Sequence, residues 1–234
     1  MRRDRVDHDS RTMKRNRILV ISTLLASLGP LVGNGLWAGP STDGDKILAD
    51  ARDGLPTIAY AGLTLELVGF AALVVLFAWL VAYLFERTPV ASVATGIAGS
   101  AMLAVKVGSA APVMTVYSIP ESLDPSTAEA LIWMNGQSFV ISGFLMSLAF
   151  LTAGLGLLAT EFPRWLSWWA TVAGGLGVVA GFVGIASPEN YVPIPFLLTL
   201  VWMIAVALAT VTRPDEVAPV IPAKRLRPPV PATD

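Results

Sequence analysis

The sequence predicts an all-α fold: a polytopic membrane bundle of six transmembrane helices. Of its 234 residues, 54% are hydrophobic and only 14% are charged, whereas a soluble domain carries roughly 25% charged residues. Six apolar runs approach or exceed the ~20 residues that cross a ~30 Å hydrocarbon core. We therefore expect the lipid bilayer to surround most of the chain.

The distribution of Lys and Arg predicts the orientation. With the N-terminus inside, thirteen of these residues fall on the inner side and only Lys46 and Arg52 fall outside, with Lys106 uncounted. Positive residues concentrate in cytoplasmic loops. We therefore expect a cell-membrane protein with both termini cytoplasmic. The basic N-terminal segment is interpreted as a topogenic signal, not as a site for nucleic acid.

Three regions are expected along the chain. Residues 1–17 are polar and rich in arginine, which predicts a disordered basic cytoplasmic tail. Residues 18–212 form the transmembrane domain, and the proline-rich residues 213–234 predict a cytoplasmic tail without a core. A signal peptide is disfavoured because Leu36 lies where cleavage before residue 39 would need a small residue. The first span is thus expected to be retained.

The six predicted spans are separated by short polar loops, and the spans cover residues 18–38, 57–85, 90–113, 130–160, 166–186 and 196–212. In the loop before the second span, Lys46 to Arg52 predicts a short surface helix ended by Gly54. Pro112 marks where the third helix should weaken. Ser126 and Glu129 match a capping box for the fourth helix.

Composition excludes several kinds of chemistry. The chain has no cysteine, and its one histidine, His8, lies outside the apolar runs. Disulfides, thiolate nucleophiles and iron–sulfur ligands are therefore excluded, and so are imidazole ligands for haem or zinc within the membrane. No Ser-x-x-Lys, nucleophile-elbow, P-loop or His-Glu zinc motif occurs in the sequence. We expect no cofactor, no metal and no enzymatic activity.

Two ionisable residues lie well inside apolar runs: Glu66 in the second and Lys106 in the third. At 1.5 Å per residue they lie roughly 13 Å and 10 Å from the outer ends of their helices, so their depths match. A lone charge near a helix centre costs about 2.5 to 3.5 kcal/mol, which favours pairing. Gly62 and Gly69 flank Glu66 on one helix face, which predicts close packing there.

Amide side chains occur at a similar level. Asn135 lies on the fourth helix with Gln137 nearby, and Asn34 lies near the outer end of the first helix. If these residues converge, Lys106 would stabilise the Glu66 carboxylate, and the two fourth-helix amides would bond its remaining lone pairs. Such a site would take up a proton or a small polar solute from outside.

Other interpretations stay open at this point. Lys106 can extend to the outer interface without meeting Glu66, or the two can pair only to fix helix register. The function classes are therefore a protein that handles a small polar solute or ion, a structural or regulatory protein that acts through partners, and, least favoured, a membrane enzyme acting on lipid.

Helices 2-3 and 4-5 show a pattern typical of a parallel repeat. Three pairs of residues match at one constant offset: Gly62 with Gly136, Gly69 with Gly143, and Pro89 with Pro163. Both hairpins would run from outside to inside and back, as in transporters built from parallel repeats. Within the fifth span, a stripe of small residues predicts close helix packing, and it consists of Gly174, Gly177, Gly181 and Gly184.

The turn before the fifth span reads Phe162-Pro163-Arg164-Trp165-Leu166-Ser167-Trp168-Trp169 and leads into a glycine-rich helix. This segment resembles small bacterial membrane proteins grouped as domain of unknown function 4386, in which a Leu-Pro-Arg-Trp-Leu-Gly-Trp-like turn precedes one of the last helices. Ser167 stands where a glycine is usual. The resemblance covers a minor part of the chain and implies an uncharacterised bacterial membrane protein without an assigned activity.

Overall fold

The computed structural model describes residues 2–36, 41–213 and 217, with residues 2–15 and 189 described by their backbone only. All regular structure in these residues is helical. Eight α-helices follow one another along the chain: α1 (Arg2–Leu36), α2 (Gly44–Arg52), α3 (Thr57–Phe85), α4 (Pro89–Gly108), α5 (Ala110–Ser118), α6 (Pro125–Leu158), α7 (Arg164–Ala186) and α8 (Ile194–Thr212).

Six segments are long and apolar enough to cross a membrane: α1 from Asn16, α3, α4 together with α5, α6, α7 and α8. Helices suit these apolar runs because they satisfy every backbone hydrogen bond internally, which a bilayer requires. Large apolar side chains point outward, among them Val90 at 83% and Ile97 at 67% exposure. The predicted all-α bundle of six is confirmed, and it is compatible with a multi-pass membrane protein.

The spanning segments form a closed ring in chain order, in which α1 packs against both α3 and α8. α6 also contacts α3 and α8 across the ring. Phe150 and Trp202 fill the core, with their ring centroids 5.1 Å apart in an edge-to-face arrangement. The Trp202 indole donates a hydrogen bond of 2.7 Å to the Leu166 carbonyl, which satisfies its one polar atom.

One end of the bundle carries α2, and we call it the α2 end; the sequence predicts that it is the outer end. The expected surface helix is present but begins at Gly44, where Asp43 caps it by accepting hydrogen bonds from two backbone amides. Gly54 follows with a φ of +84°, a left-handed conformation that favours glycine. The apolar face of α2 packs against α5 and α6.

Two predicted helix starts differ from the structure, the first in α1. This helix begins at Arg2, so residues 2–17 are helical although the sequence predicts disorder. Extending an existing helix adds one hydrogen bond per residue without a new nucleation cost, and arginine is a good helix former. The predicted proline-rich C-terminal tail lies outside the described residues apart from Arg213 and Val217.

The second difference is in α6, where the predicted capping box is wrong. α6 begins at Pro125, and Asp124 is its N-cap, accepting a 2.9 Å hydrogen bond from the Thr127 amide. The Ser126 hydroxyl donates to the Asp124 carboxylate instead of capping the helix itself. Proline at the first helical position is preorganised for a helix. Hydrogen bonds, the one from Ser126 first, hold the pKa of Asp124 well below its usual range.

The third spanning segment is interrupted at Ser109, between α4 and α5. Pro112 explains the interruption because it has no N–H to donate to the Gly108 carbonyl and its ring crowds that carbonyl. The predicted weak point is therefore confirmed, although the helix resumes and continues to Ser118, beyond the expected end at Val113. After the interruption, α5 packs against α6 and α2, and a cleft lies between α5 and α3.

The glycine stripe of α7 is buried, as expected. A Cβ atom at Gly181 would lie 2.7 Å from the Phe144 Cβ atom of α6, and one at Gly174 would lie 2.8 Å from the Ser147 carbonyl oxygen. The stripe thus lets α7 approach α6 at a distance that larger residues would prevent.

We expect Gly177→Leu and Gly181→Leu each to lower the unfolding temperature in detergent, because overpacking a close helix contact costs about 1 to 3 kcal/mol. Val179→Leu is the matched control, since Val179 lies on the same helix and is 62% exposed. Thermal unfolding of the three variants compares them directly. Equal shifts for all three would refute the packing role of the stripe.

The parallel repeat stays a prediction. Its matched glycines make different contacts: a Cβ atom at Gly62 would meet the Gly33 carbonyl oxygen, whereas one at Gly136 would meet nothing within 4 Å. The two hairpins therefore do not share one packing pattern at these positions.

Candidate functional site

The structure brings the two membrane charges together. The Lys106 ammonium lies 3.1 Å from the Glu66 Oε1 atom, and the side chains are 14% and 13% exposed. Asn34 joins them, because its Nδ2 atom donates a 3.0 Å hydrogen bond to the same oxygen and another of 2.8 Å to the Pro30 carbonyl. The charged hydrogen bond is of the kind that strengthens when water is excluded. Glu66, Lys106 and Asn34, which the sequence places on three helices, thus form one cluster.

Close packing of α1 on α3 positions Asn34 against the carboxylate. A Cβ atom at Gly33 would lie 2.6 Å from the Gly62 carbonyl oxygen and 3.1 Å from the Glu66 Cβ atom. Only glycine allows the two backbones to approach this closely. The close packing predicted for the Gly62 face of α3 is therefore present, and its partner is α1.

Two aromatic rings flank the ammonium. The Lys106 Nζ atom lies 5.9 Å from the centroid of Phe70 and 5.4 Å from that of Phe139. Cations within about 6 Å of a ring centroid are attracted by its negative face. The rings therefore hold the Lys106 ammonium beside Glu66. The N–H groups of the ammonium that do not contact Glu66 stay available to another acceptor.

A cavity of about 150 Å³ lies against the charge pair. A water occupies about 30 Å³ in the liquid, so the space accommodates roughly five waters or a molecule of similar size. Its polar lining consists of Asn34, Glu66, Lys106, Ser109 and Asn135, and its apolar lining of Leu63, Leu67, Phe70, Val107, Ala110, Val113 and Met114. Polar and apolar groups thus share the wall, and a binding pocket needs both, because apolar contacts bury the ligand and polar groups orient it.

A second, smaller cavity of about 20 Å³ also reaches Asn34, Glu66 and Lys106. Its other lining is mostly apolar and includes Met146 and Leu200. The charge pair therefore borders both spaces, and the larger one is the space that can hold a ligand.

Asn135 reaches the site by a different contact from the expected one. Its Nδ2 atom donates a 2.8 Å hydrogen bond to the Ser109 carbonyl at the interruption between α4 and α5, not to the Glu66 carboxylate. A carbonyl near a helix interruption needs such a partner because the regular helix bonds are disturbed there. The prediction that Asn135 bonds the carboxylate is therefore wrong, although Asn135 does line the cavity.

Gln137 lies outside both cavities in the described part of the chain. Two residues correspond to about 200° around a helix at 3.6 residues per turn, so Gln137 and Asn135 face different directions. The expected convergence of both amides on Glu66 is therefore not observed. The structure instead supplies Asn34 as the amide partner.

The sequence did not predict three residues of the site: Phe70, Phe139 and Ser109. Helical spacing could have found the rings, because Phe70 lies four residues after Glu66 and Phe139 four after Asn135, and residues four apart share a helix face. Ser109 lies three residues before Pro112, so the predicted weak point of the helix indicated its position. No sequence signal indicated which carbonyl Asn135 would bond.

Comparison with known proteins finds no matching family model, no similar curated protein and no similar solved structure. The resemblance to the proteins of domain of unknown function 4386 therefore stays a prediction. The function is therefore inferred from the chemistry of the site itself.

Proposed function

We propose that this protein binds a small polar solute or ion in the cavity beside Glu66 and Lys106, as part of handling that solute at the membrane. The observation that carries the proposal is the ion pair of 3.1 Å on the wall of a cavity of about 150 Å³. Ionisable residues within membrane spans are rare, and those that face a cavity mark substrate or ion pathways in membrane proteins.

The contacts of the carboxylate support binding over a purely structural role. Within the described residues, both Lys106 and Asn34 contact Oε1 of Glu66, and Oε2 has no protein donor. Oε2 is therefore free to accept a hydrogen bond from water or from a ligand. Because Glu66 lines the cavity, this open acceptor supports a site for a polar ligand.

We propose binding or transport without chemical conversion. Lys106 and Glu66 neutralise one another, so the carboxylate is engaged with a cation instead of being available as a base to a substrate. Asn34 holds the same oxygen. The Ser109 hydroxyl in the same lining donates to the Lys106 carbonyl and has no partner among the described residues that could act as its base. The arrangement can thus orient a polar ligand.

Thermal unfolding of the purified protein tests the proposal against single solutes sorted by charge: sodium, ammonium, chloride, phosphate, glucose and glycine. A ligand at 100 times its Kd stabilises the folded state by about 2.7 kcal/mol. We expect at least one class to raise the unfolding temperature of the wild type and not of Glu66→Gln. Equal responses of both proteins to every class would count against the site and favour a protein that acts through partners.

We further propose that the α2 end faces outward and that both termini are cytoplasmic. The support is the excess of Lys and Arg in the tails and at the opposite end of the bundle, which the positive-inside rule places in the cytoplasm. The bacterial cell membrane is the location that the sequence resemblance favours.

Reporter fusions test this orientation. Fusions after Gly54, Asp124 and Asn190 should report an outer location, and fusions after Thr88, Arg164 and Pro231 should report the cytoplasm. A reporter active only in the cytoplasm and one active only outside should give opposite patterns. An outer location for the Pro231 fusion would contradict the proposed orientation.

A further inference from the structure

We propose that the ligand of this cavity is a small zwitterion: a molecule with an ammonium group beside an acid group and a compact apolar body. This inference rests on the proposed function and names its substrate class. Three features of the cavity lead to it: the balance of its charges, the atoms that the protein leaves open, and the apolar remainder of its wall.

The first feature is charge balance. Glu66 and Lys106 carry opposite charges, are largely buried and lie in contact. A ligand with a net charge would leave one charge without a partner in a medium of low dielectric, which is strongly unfavourable. A zwitterion preserves neutrality, because its ammonium offsets the carboxylate while its acid group offsets the lysine.

The second feature is the set of open atoms. Oε2 of Glu66 has no donor among the described residues, and the Lys106 ammonium has three N–H groups but contacts one oxygen. An ammonium on the ligand can donate to Oε2, and an acid group on the ligand can accept from Nζ. The two protein atoms are adjacent, so the two groups on the ligand must be adjacent too.

The third feature is the remainder of the wall. Beyond Glu66, Lys106 and Asn34, the polar lining consists of Ser109 and Asn135, whose Oγ and Nδ2 atoms already donate to backbone carbonyls. The rest of the wall consists of apolar side chains such as Leu63, Val113 and Met114. A ligand with further polar groups would lose hydrogen bonds with water there without replacing them. The volume of about 150 Å³ is sufficient for adjacent ammonium and acid groups with a few apolar carbons.

Two sources can supply this chemistry. The first source is water at the α2 end, where Asn34, near the C-terminal end of α1, lines the cavity. A free amino acid with a small apolar side chain would enter from there. Leu67 and Val107 line the cavity and are also 44% and 50% exposed on the outside of the bundle. An amine-bearing phospholipid headgroup would arrive from that side, between α3 and α4.

A cysteine placed in the cavity distinguishes these cases. The chain has no native cysteine, so Ala110→Cys gives a single thiol in the cavity wall at a partly exposed position. A small charged thiol reagent needs both water and access to react with it. The reaction rate is measured in nanodiscs of phosphatidylcholine, whose headgroup has no N–H donor. L-valine is compared with isobutylamine and 3-methylbutanoate, which keep one of its two charges each.

The inference predicts that L-valine at ten times its Kd slows the reaction about tenfold, because only about one site in eleven is then empty. The single-charge analogues should leave the rate unchanged, and adding Glu66→Gln should abolish the protection by valine. Protection by phosphatidylethanolamine nanodiscs, without protection by valine, also supports the inference and assigns the lipid as the source.

Protection by isobutylamine or 3-methylbutanoate equal to that by valine would overturn the zwitterion while leaving a solute site in place. A thiol that reacts, and that neither valine nor phosphatidylethanolamine protects, would also overturn the zwitterion while leaving a solute site in place. A thiol at Ala110→Cys that does not react at all would overturn both this inference and the proposed function, because the cavity would then be closed to water.

Discussion

Replacing either Glu66 or Lys106 by alanine is expected to lower the free energy of unfolding by about 3 to 5 kcal/mol, because each change leaves a buried charge without its partner. The two side chains are 13% and 14% exposed and meet at 3.1 Å. The double variant Glu66→Ala with Lys106→Ala should recover much of the loss, with a coupling energy of about 1 to 3 kcal/mol. Equilibrium unfolding in mixed detergent micelles measures the cycle.

Glu66→Gln is the matched control for this cycle. The amide oxygen of glutamine keeps accepting from Lys106 and Asn34 while the negative charge is removed, so we expect a smaller loss than with alanine. Additive effects of the two alanine changes would show that the charges do not interact in the membrane, and the described pair would then be incorrect.

Gly33→Ala is expected to destabilise the bundle by about 1 to 3 kcal/mol, because a methyl group has no space where α1 meets α3. The added Cβ atom would lie 2.6 Å from the Gly62 carbonyl oxygen, and backbone atoms cannot move aside as a flexible side chain can. Separation of the helices would also move Asn34 away from Glu66. The variant should therefore lose both stability and ligand binding, measured by thermal unfolding with and without the stabilising solute.

Gly35→Ala provides the control, since a Cβ atom at Gly35 would meet no atom of the described residues within 4 Å. Alanine favours the helix over glycine by roughly 1 kcal/mol, so this variant should be neutral or slightly more stable. Similar losses of stability for Gly33→Ala and Gly35→Ala would show that the effect comes from replacing glycine in α1, and not from the close contact between α1 and α3.

Much of the fold could be predicted from the sequence because membrane helices are local. Length and apolar composition decide each span without knowledge of its neighbours. The interruption near Pro112 also follows from local chemistry, since proline removes one backbone donor wherever it occurs. Two helix starts were missed because local signals compete there. At Arg2, the polar composition that predicts disorder competes with the good helix propensity of arginine. At Pro125, Asp124 and Ser126 both offer an oxygen that can cap the helix, and differences of a few tenths of a kcal/mol decide between such alternatives.

The site was predictable in part. Matched depth and the cost of a lone charge favoured the pairing of Glu66 with Lys106, although extension of Lys106 to the outer interface stayed open until the structure showed the contact. The partner of Asn135 was not predictable, because it depends on how far α5 turns away from α3, which is a property of tertiary packing. Asn34 was named as a candidate from its depth, but its contact with Glu66 requires the closeness of Gly33 and Gly62, which the sequence alone does not specify.

The reaction of Ala110→Cys with a small charged thiol reagent, without any ligand, tests most directly whether water reaches the charge pair. Ala110 lines the cavity and is partly exposed, so its thiol should react when the reagent is added on the side of the membrane where the α2 end lies, in sealed proteoliposomes. Val179→Cys, 62% exposed on the apolar outside of the bundle, should not react, because hydrocarbon disfavours the thiolate. An Ala110→Cys thiol as unreactive as the Val179→Cys thiol would contradict the hydrated site on which the proposed function depends.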